Sequence, residues 1–160
     1  MKIRILERAQ IIPLPLDETF RFFSDARNLE RLTPRFLNFK FLSTPPEVMQ
    51  TGTIIDYQIR LCGVPVHWCT RIEAVEPPHR FVDVQDKGPY RFWRHTHTFR
   101  DAGNGTTEIK DRVEYAMPLG PLGEFAHRLF VARSLQQIFD FRSRELVAIM
   151  LADRITQSMP

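Results

Sequence analysis

Apolar and polar positions divide the chain into three stretches with different periods. Residues 2–12 alternate loosely (Ile3 and Ile5, then Arg8 and Gln10), which predicts a strand ended by Pro13 and Pro15. Residues 16–32 then place Phe20, Phe23, Ala26, Leu29 or Glu30 and Leu32 at helical spacing, with Asp17 and Glu18 in the first turn where the helix dipole favours acids. Ser24 and Asp25 offer a break into two short helices, and Thr33-Pro34 closes the segment. From there to Met117 the period is two. Between Pro34 and Pro45, Leu37, Phe39 and Phe41 share one face of a predicted strand. Residues 53–61 set Ile55, Tyr57, Ile59 and Leu61 against Asp56, Gln58 and Arg60.

Residues 66–75 return with Trp68, Thr70, Ile72 and Ala74 on one side, after a turn at Gly63-Val64-Pro65. Placing Leu61 opposite Trp68 puts both apolar sets of this hairpin on one face. Further strands are predicted at 80–86, 90–101 and 106–117, joined by turns at Lys87-Gly88-Pro89 and around Gly103-Asn104-Gly105. In the last third, residues 124–155 contain no proline or glycine. Phe125, Leu129, Ala132, Leu135 or Gln136, Phe139, Leu146 and Ile149 or Met150 recur at helical spacing, predicting a helix roughly 45 Å long at 1.5 Å per residue.

The predicted order is strand, two short helices, six strands and a long helix. This is an α+β architecture: a curved antiparallel sheet of about seven strands packed against the C-terminal helix, with room for a cavity between them. A length of 160 residues fits one domain, expected over residues 1–155 with a flexible tail at 156–160. The 43% hydrophobic and 26% charged content excludes a disordered or fibrous chain. A net charge of +3, dispersed along the chain, lacks the basic footprint of a nucleic-acid binder. No apolar run is long enough to span a bilayer, and Met1-Lys2-Ile3-Arg4 does not start a signal-peptide core, so stable membrane insertion is not expected and a cytoplasmic protein is. Cys62 and Cys69 match no metal-binding spacing and are expected as half-buried free thiols. Monomer and homodimer both remain open.

Thirteen Phe in so short a chain must pack a core or line a cavity. Phe20, Phe23, Phe125 and Phe139 lie at helical spacing and are expected to pack helices onto the sheet. The chemistry concentrates in Trp93-Arg94-His95-Thr96-His97-Thr98-Phe99. In a strand, Trp93, His95, His97 and Phe99 share the face that two large rings mark as inner. On the next strand Ile109, Asp111, Val113 and Tyr115 form the more apolar face, so Asp111 lies opposite either His95 or His97.

Imidazoles in an apolar cavity need partners. This pattern admits a polar anchor for a ligand, an Asp-oriented acid/base, or a core network that satisfies itself. A His-x-His pair with Asp111 is also half of a metal site, but no second motif accompanies it, and neither metal nor cofactor is expected. Tyr57, Trp68 and Thr70 face inward; Phe99 and Tyr115 join the inner strand face; Arg142, three residues after Phe139, is placed to reach an acidic ligand group over the cavity mouth. The strand at 80–86 leaves open whether Phe81, Asp83 and Gln85 or Val82 and Val84 look inward. His67, His79 and His127 read as surface or turn residues, and no phosphate loop, nucleophile elbow or paired-cysteine motif is present.

The element order resembles the START-like superfamily, the polyketide cyclase/dehydrase and lipid-transport branch with the plant-allergen fold. So do Phe81-Val82-Asp83, Gly88-Pro89-Tyr90, the 93–99 stretch, Asp111-Arg112-Val113-Glu114-Tyr115 and Pro118-Leu119-Gly120-Pro121-Leu122-Gly123. The resemblance implies a helix-grip fold with a hydrophobic pocket between sheet and C-terminal helix. For function it implies a carrier or binding protein for a small hydrophobic or lipid-like molecule, with Tyr57, Trp93 and Phe99 as walls and His95, His97 and Asp111 as the polar anchor. A cyclase, dehydratase or isomerase using His95 or His97 with Asp111 is the second expectation, and an interaction module with a sealed interior the third.

Overall fold

A computed structural model describes residues 1–158. Seven antiparallel strands form one sheet: β1 (Arg4–Ile12), β2 (Lys40–Phe41), β3 (Ile54–Leu61), β4 (Val64–Glu76), β5 (Arg80–Lys87), β6 (Phe92–Gly103) and β7 (Thr106–Ala116). Their order across the sheet is β1-β7-β6-β5-β4-β3-β2, a meander whose first strand closes on the last. Two short helices, α1 (Leu16–Phe23) and α2 (Asn28–Arg31), follow β1. The break between them falls at Ser24-Asp25, where the Asp25 carboxylate receives the Arg27 amide N–H and grips its guanidinium. At the C-terminus α3 (Gly120–Ala126), a π turn (His127–Val131) and α4 (Ala132–Ser158) run on as one helical stretch of 39 residues.

The hairpin β3–β4 keeps the expected faces but not the expected register. Tyr57 lies opposite Trp68 and Leu61 opposite Val64, rather than Leu61 opposite Trp68. The turn is the two-residue Cys62-Gly63, both with positive φ (49° and 80°), the geometry that matches strand twist in tight hairpins. Cys62 is therefore exposed at the tip rather than half-buried, and both cysteines are free. Between Pro34 and Pro45 a 3-10 turn (Arg35–Leu37) and the left-handed Asn38 replace most of the predicted strand, leaving only β2. Alternating apolar residues there reflect a buried Leu37 and Phe39 in irregular backbone.

The long helix begins at Gly120, four residues earlier than predicted, and is out of phase at its start. Leu135, Phe139, Leu146 and Met150 form the buried stripe, whereas Phe125 and Leu129 are exposed, against the expectation that Phe125 packs on the sheet. The π turn is the cause. It adds one residue to a turn and so rotates everything before it by about 100° relative to α4. Phe125 swings outward and His127 swings onto the sheet, where its Nε2 lies 2.9 Å from the Tyr115 hydroxyl. At Gly123 a Cβ would meet the Pro118 carbonyl oxygen at 1.8 Å, so the close return of the chain after β7 requires glycine.

Edge strand β1 laces to the helix through Arg4–Glu124, Arg8–Gln136 and Gln10 Nε2 donating to the Ser143 carbonyl at 2.8 Å. Arg31 of α2 makes a bidentate pair with Asp153 of α4, both contacts 2.7 Å. The tail expected from residue 156 is helical through Ser158, with the Thr156 hydroxyl donating to the Ala152 carbonyl; residues 159–160 lie outside the described residues. No helix among the described residues is long and apolar enough to cross a membrane.

Candidate functional site

Two sets of rings occupy the space between sheet and helix. Phe20, Phe23, Phe81 and Phe99 pack edge-on and stacked at centroid distances of 5.2 to 6.4 Å, a packed core whose Phe23 and Phe81 also border the cavity. Tyr57, Trp68, Tyr90 and Trp93 form a second chain of rings at 4.8 to 6.0 Å. The second set walls a cavity of about 170 Å³, closed on its other sides by Leu29, Leu32, Leu37, Leu135, Ile138 and Phe139.

At the junction of the two sets stand the histidines. His97 stacks on Phe81 at 4.1 Å, while His95 lies 6.4 Å from Trp93 and 5.6 Å from Phe139. The sheet register explains how their partners arrive. Asp83 is opposite His95, and Asp111 is opposite His97, on successive rungs of β5, β6 and β7. Each carboxylate also reaches diagonally. Asp83 Oδ2 lies 3.1 Å from His97 Nε2 and 3.7 Å from His95 Nδ1, and Asp111 Oδ1 lies 3.0 Å from His95 Nε2 and 2.7 Å from His97 Nδ1. The His97 Nδ1 approach is close but not aligned as a hydrogen bond. Both rings thus present one nitrogen to Asp83 and the other to Asp111.

Burial and charge set the protonation of this group in opposite directions. Burial pushes Asp111 up, but Arg142 and the two imidazoles outweigh it and hold the carboxyl well below its ordinary value; Asp83 is lowered in the same way by His97 and His95. His95 is driven down by burial and by the neighbouring His97. For His97 burial acts downward too, yet Asp111 and Asp83 overcome it and raise its value. Tyr57 and Tyr90 are pushed above the usual phenol range by burial.

Of the residues expected to contact a ligand, Tyr57, Trp68, Thr70, Trp93, His95, His97 and Arg142 line the cavity. Phe99, Asp111 and Tyr115 do not: Phe99 belongs to the packed core, Asp111 stands behind the histidines, and the Tyr115 hydroxyl meets His127. Sequence reasoning set Asp83 aside because both faces of β5 are buried: Phe81 and Asp83 on the cavity side, Val82 and Val84 on the other. Alternation carries no sign of direction in such a strand. A residue aligned with His95 across a known hairpin register would have exposed it. Tyr57 and Thr70 share a contact of 3.3 Å between hydroxyls, while Trp68 Nε1 and Arg142 Nε are buried and make no hydrogen bond within the described chain.

Comparisons of structure agree on the fold. TTHA0849 from Thermus thermophilus superposes with a TM-score of 0.74 at 16% identity, covering 94% of this chain and 99% of that one. Norcoclaurine synthase from Thalictrum flavum gives 0.68 at 16% identity (96% and 97%), and the Zhui aromatase/cyclase from Streptomyces sp. R1128 gives 0.66 at 12% (95% and 93%). At these identities the likeness is one of fold, the helix-grip α+β arrangement. No curated protein matches the chain in sequence. Residues 12–142, however, match the family model described as polyketide cyclase / dehydrase and lipid transport, and by that match, which spans most of its length, the chain belongs to this family.

Proposed function

We propose that the protein binds a small hydrophobic molecule bearing a hydrogen-bond acceptor, held between the sheet and the C-terminal helix. The observation that carries this reading is the pair of unpartnered donors, Trp68 Nε1 and Arg142 Nε, on residues lining a largely apolar cavity. A buried donor without a partner costs about 1–3 kcal/mol, and an acceptor on a bound molecule recovers it. A cavity of about 170 Å³ is below the usual span for drug-sized pockets and close to one that holds a single ring, so a one-ring ligand fits without movement of the walls. His95 and His97 supply the polar end, with Asp111 fixing them from behind and Asp83 beside them.

Native mass spectrometry of protein purified from its own host is the direct test, followed by a binding screen against a lipid extract. A co-purifying small molecule displaced in Trp68→Phe is expected; wild-type protein that carries nothing and binds nothing in the screen overturns the proposal. The cavity also counts against an interaction module, which needs a sealed interior, although Leu122, Phe125 and Phe130 leave exposed apolar side chains at the start of the helix.

A second reading, turnover of the bound molecule, has one observation in its favour: a carboxylate 3.0 Å from His95 Nε2 in a buried site, the arrangement that fixes the tautomer of an acid/base. On that reading Asp111→Asn lowers turnover about 100-fold or more with ligand affinity retained. If affinity falls and no turnover is found in the wild type, the anchor serves binding alone.

A further inference from the structure

Asp83, His95 and His97 bring three donors of mixed type, one from each residue, within 4.8 Å of one another. The separations of Asp83 Oδ2 from His97 Nε2 (3.1 Å) and His95 Nδ1 (3.7 Å) bracket the about 3.3 Å edge expected between ligands of a tetrahedral ion with bonds of about 2.0 Å. Asp111 approaches the opposite nitrogen of each ring. His95 Nε2 donates to Asp111 and leaves the Nδ1 lone pair facing Asp83, the role an outer carboxylate plays behind a metal-bound histidine. His97 Nε2 donates to Asp83 in the metal-free chain and would give up that proton to an ion. Among the described residues no Lys or Arg lies within 4.0 Å of either carboxylate; the two imidazoles are their direct partners, and the Arg142 charge acts on both from farther off.

We propose that Asp83, His95 and His97 form a binding site for one divalent transition-metal ion of the zinc type, with Asp111 as the carboxylate that orients the His95 imidazole. Two nitrogens and one oxygen suit zinc, cobalt or iron(II) rather than calcium or magnesium, which take oxygen ligands. All three ligands line the cavity, so the fourth position opens onto it, the pattern of a site that keeps a place for water or an oxygen of a bound molecule. The inference departs from the sequence expectation of no metal, and also from the metal site weighed against it, which had Asp111 rather than Asp83 as the third ligand. It is independent of the cavity's occupant, because metal alone is the probe.

Chelator-treated protein carrying Cys62→Ser, which removes the exposed thiol, is titrated with Zn2+ and Co2+, and bound metal is counted by equilibrium dialysis and elemental analysis. One ion per chain is expected, with a visible cobalt spectrum of four- or five-coordinate intensity and a rise in Tm on adding zinc. Asp111→Asn should weaken uptake about 10- to 100-fold, and Asp83→Asn and His95→Gln further still. His67→Gln, which breaks the exposed His67–Asp56 pair, should leave it unchanged. If Asp83→Asn does not fold, the wild-type cobalt spectrum decides alone. Absence of stoichiometric uptake, a weak octahedral cobalt spectrum, or uptake that survives Asp83→Asn and His95→Gln overturns the proposal.

Discussion

His95 and His97 differ by two positions in sequence and share both carboxylate neighbours, yet their pKa values are displaced in opposite directions. His97, raised above 6.5, contributes stability that is complete below about pH 6.5 and fades as pH climbs through its folded value. His95, lowered below 6.5, does the reverse: its contribution is present above about 6.5 and is lost as pH falls. In metal-free protein, His97→Gln and His95→Gln should therefore change the slope of stability against pH between about 5 and 8 with opposite signs, measured by denaturant unfolding across that range. Asp83 and Asp111, both held below 3.8, stabilise above about pH 3.8 and lose that contribution on acidification, so Asp111→Asn should flatten the acid limb.

Much at this scale was legible from the sequence. Period two put the histidines and Asp111 on one face, and parity restricted which pairs could meet. Asp83 was not legible, because a strand buried on both faces hides its direction, and neither were the orphaned donors on Trp68 and Arg142, which depend on what surrounds them in space.

Among the elements, the helix that grips the sheet shows where periodicity misleads. Helical spacing found Phe139 and Leu146 and offered Leu135 and Met150 each as one of two choices, but it assigned Phe125 to the same stripe because a sequence does not announce an extra residue in one turn. Deleting Leu129 restores a continuous α-helical phase and turns residues 120–128 by about 100°. His127 then loses Tyr115 and Glu124 loses Arg4, and thermal unfolding should report a loss of about 1–2 kcal/mol. The β3–β4 hairpin failed in a milder way. Gly63-Val64-Pro65 looked like the turn, yet the tight two-residue turn at Cys62-Gly63 moved the register by two residues per strand and kept every side chain on its expected face. That is why Tyr57, Trp68 and Thr70 still line the cavity.

On the scale of the molecule, a packed core and a hollow share one interior, and truncations should tell them apart. Phe99 is 2% exposed and touches Phe20, Phe23 and Phe81, so Phe99→Ala should cost about 3–5 kcal/mol. Ile59 lines the cavity, where space already exists beside it, and Ile59→Ala should fall near about 2 kcal/mol in the same unfolding assay. The sheet is knit by strand pairing throughout, but the cavity wall formed by residues 28–37 has only short helical turns, and Arg31–Asp153 ties it to α4. An exposed pair of this kind adds less than about 1 kcal/mol to global stability. Its weight falls instead on time. On the proposed function, local opening of that wall gives a guest a route to solvent, and the clamp then sets how long it stays. Asp153→Ala should shorten residence several-fold in a dissociation experiment while Tm hardly moves, making the dwell of a guest adjustable without touching either the ring-lined walls or the buried polar cluster.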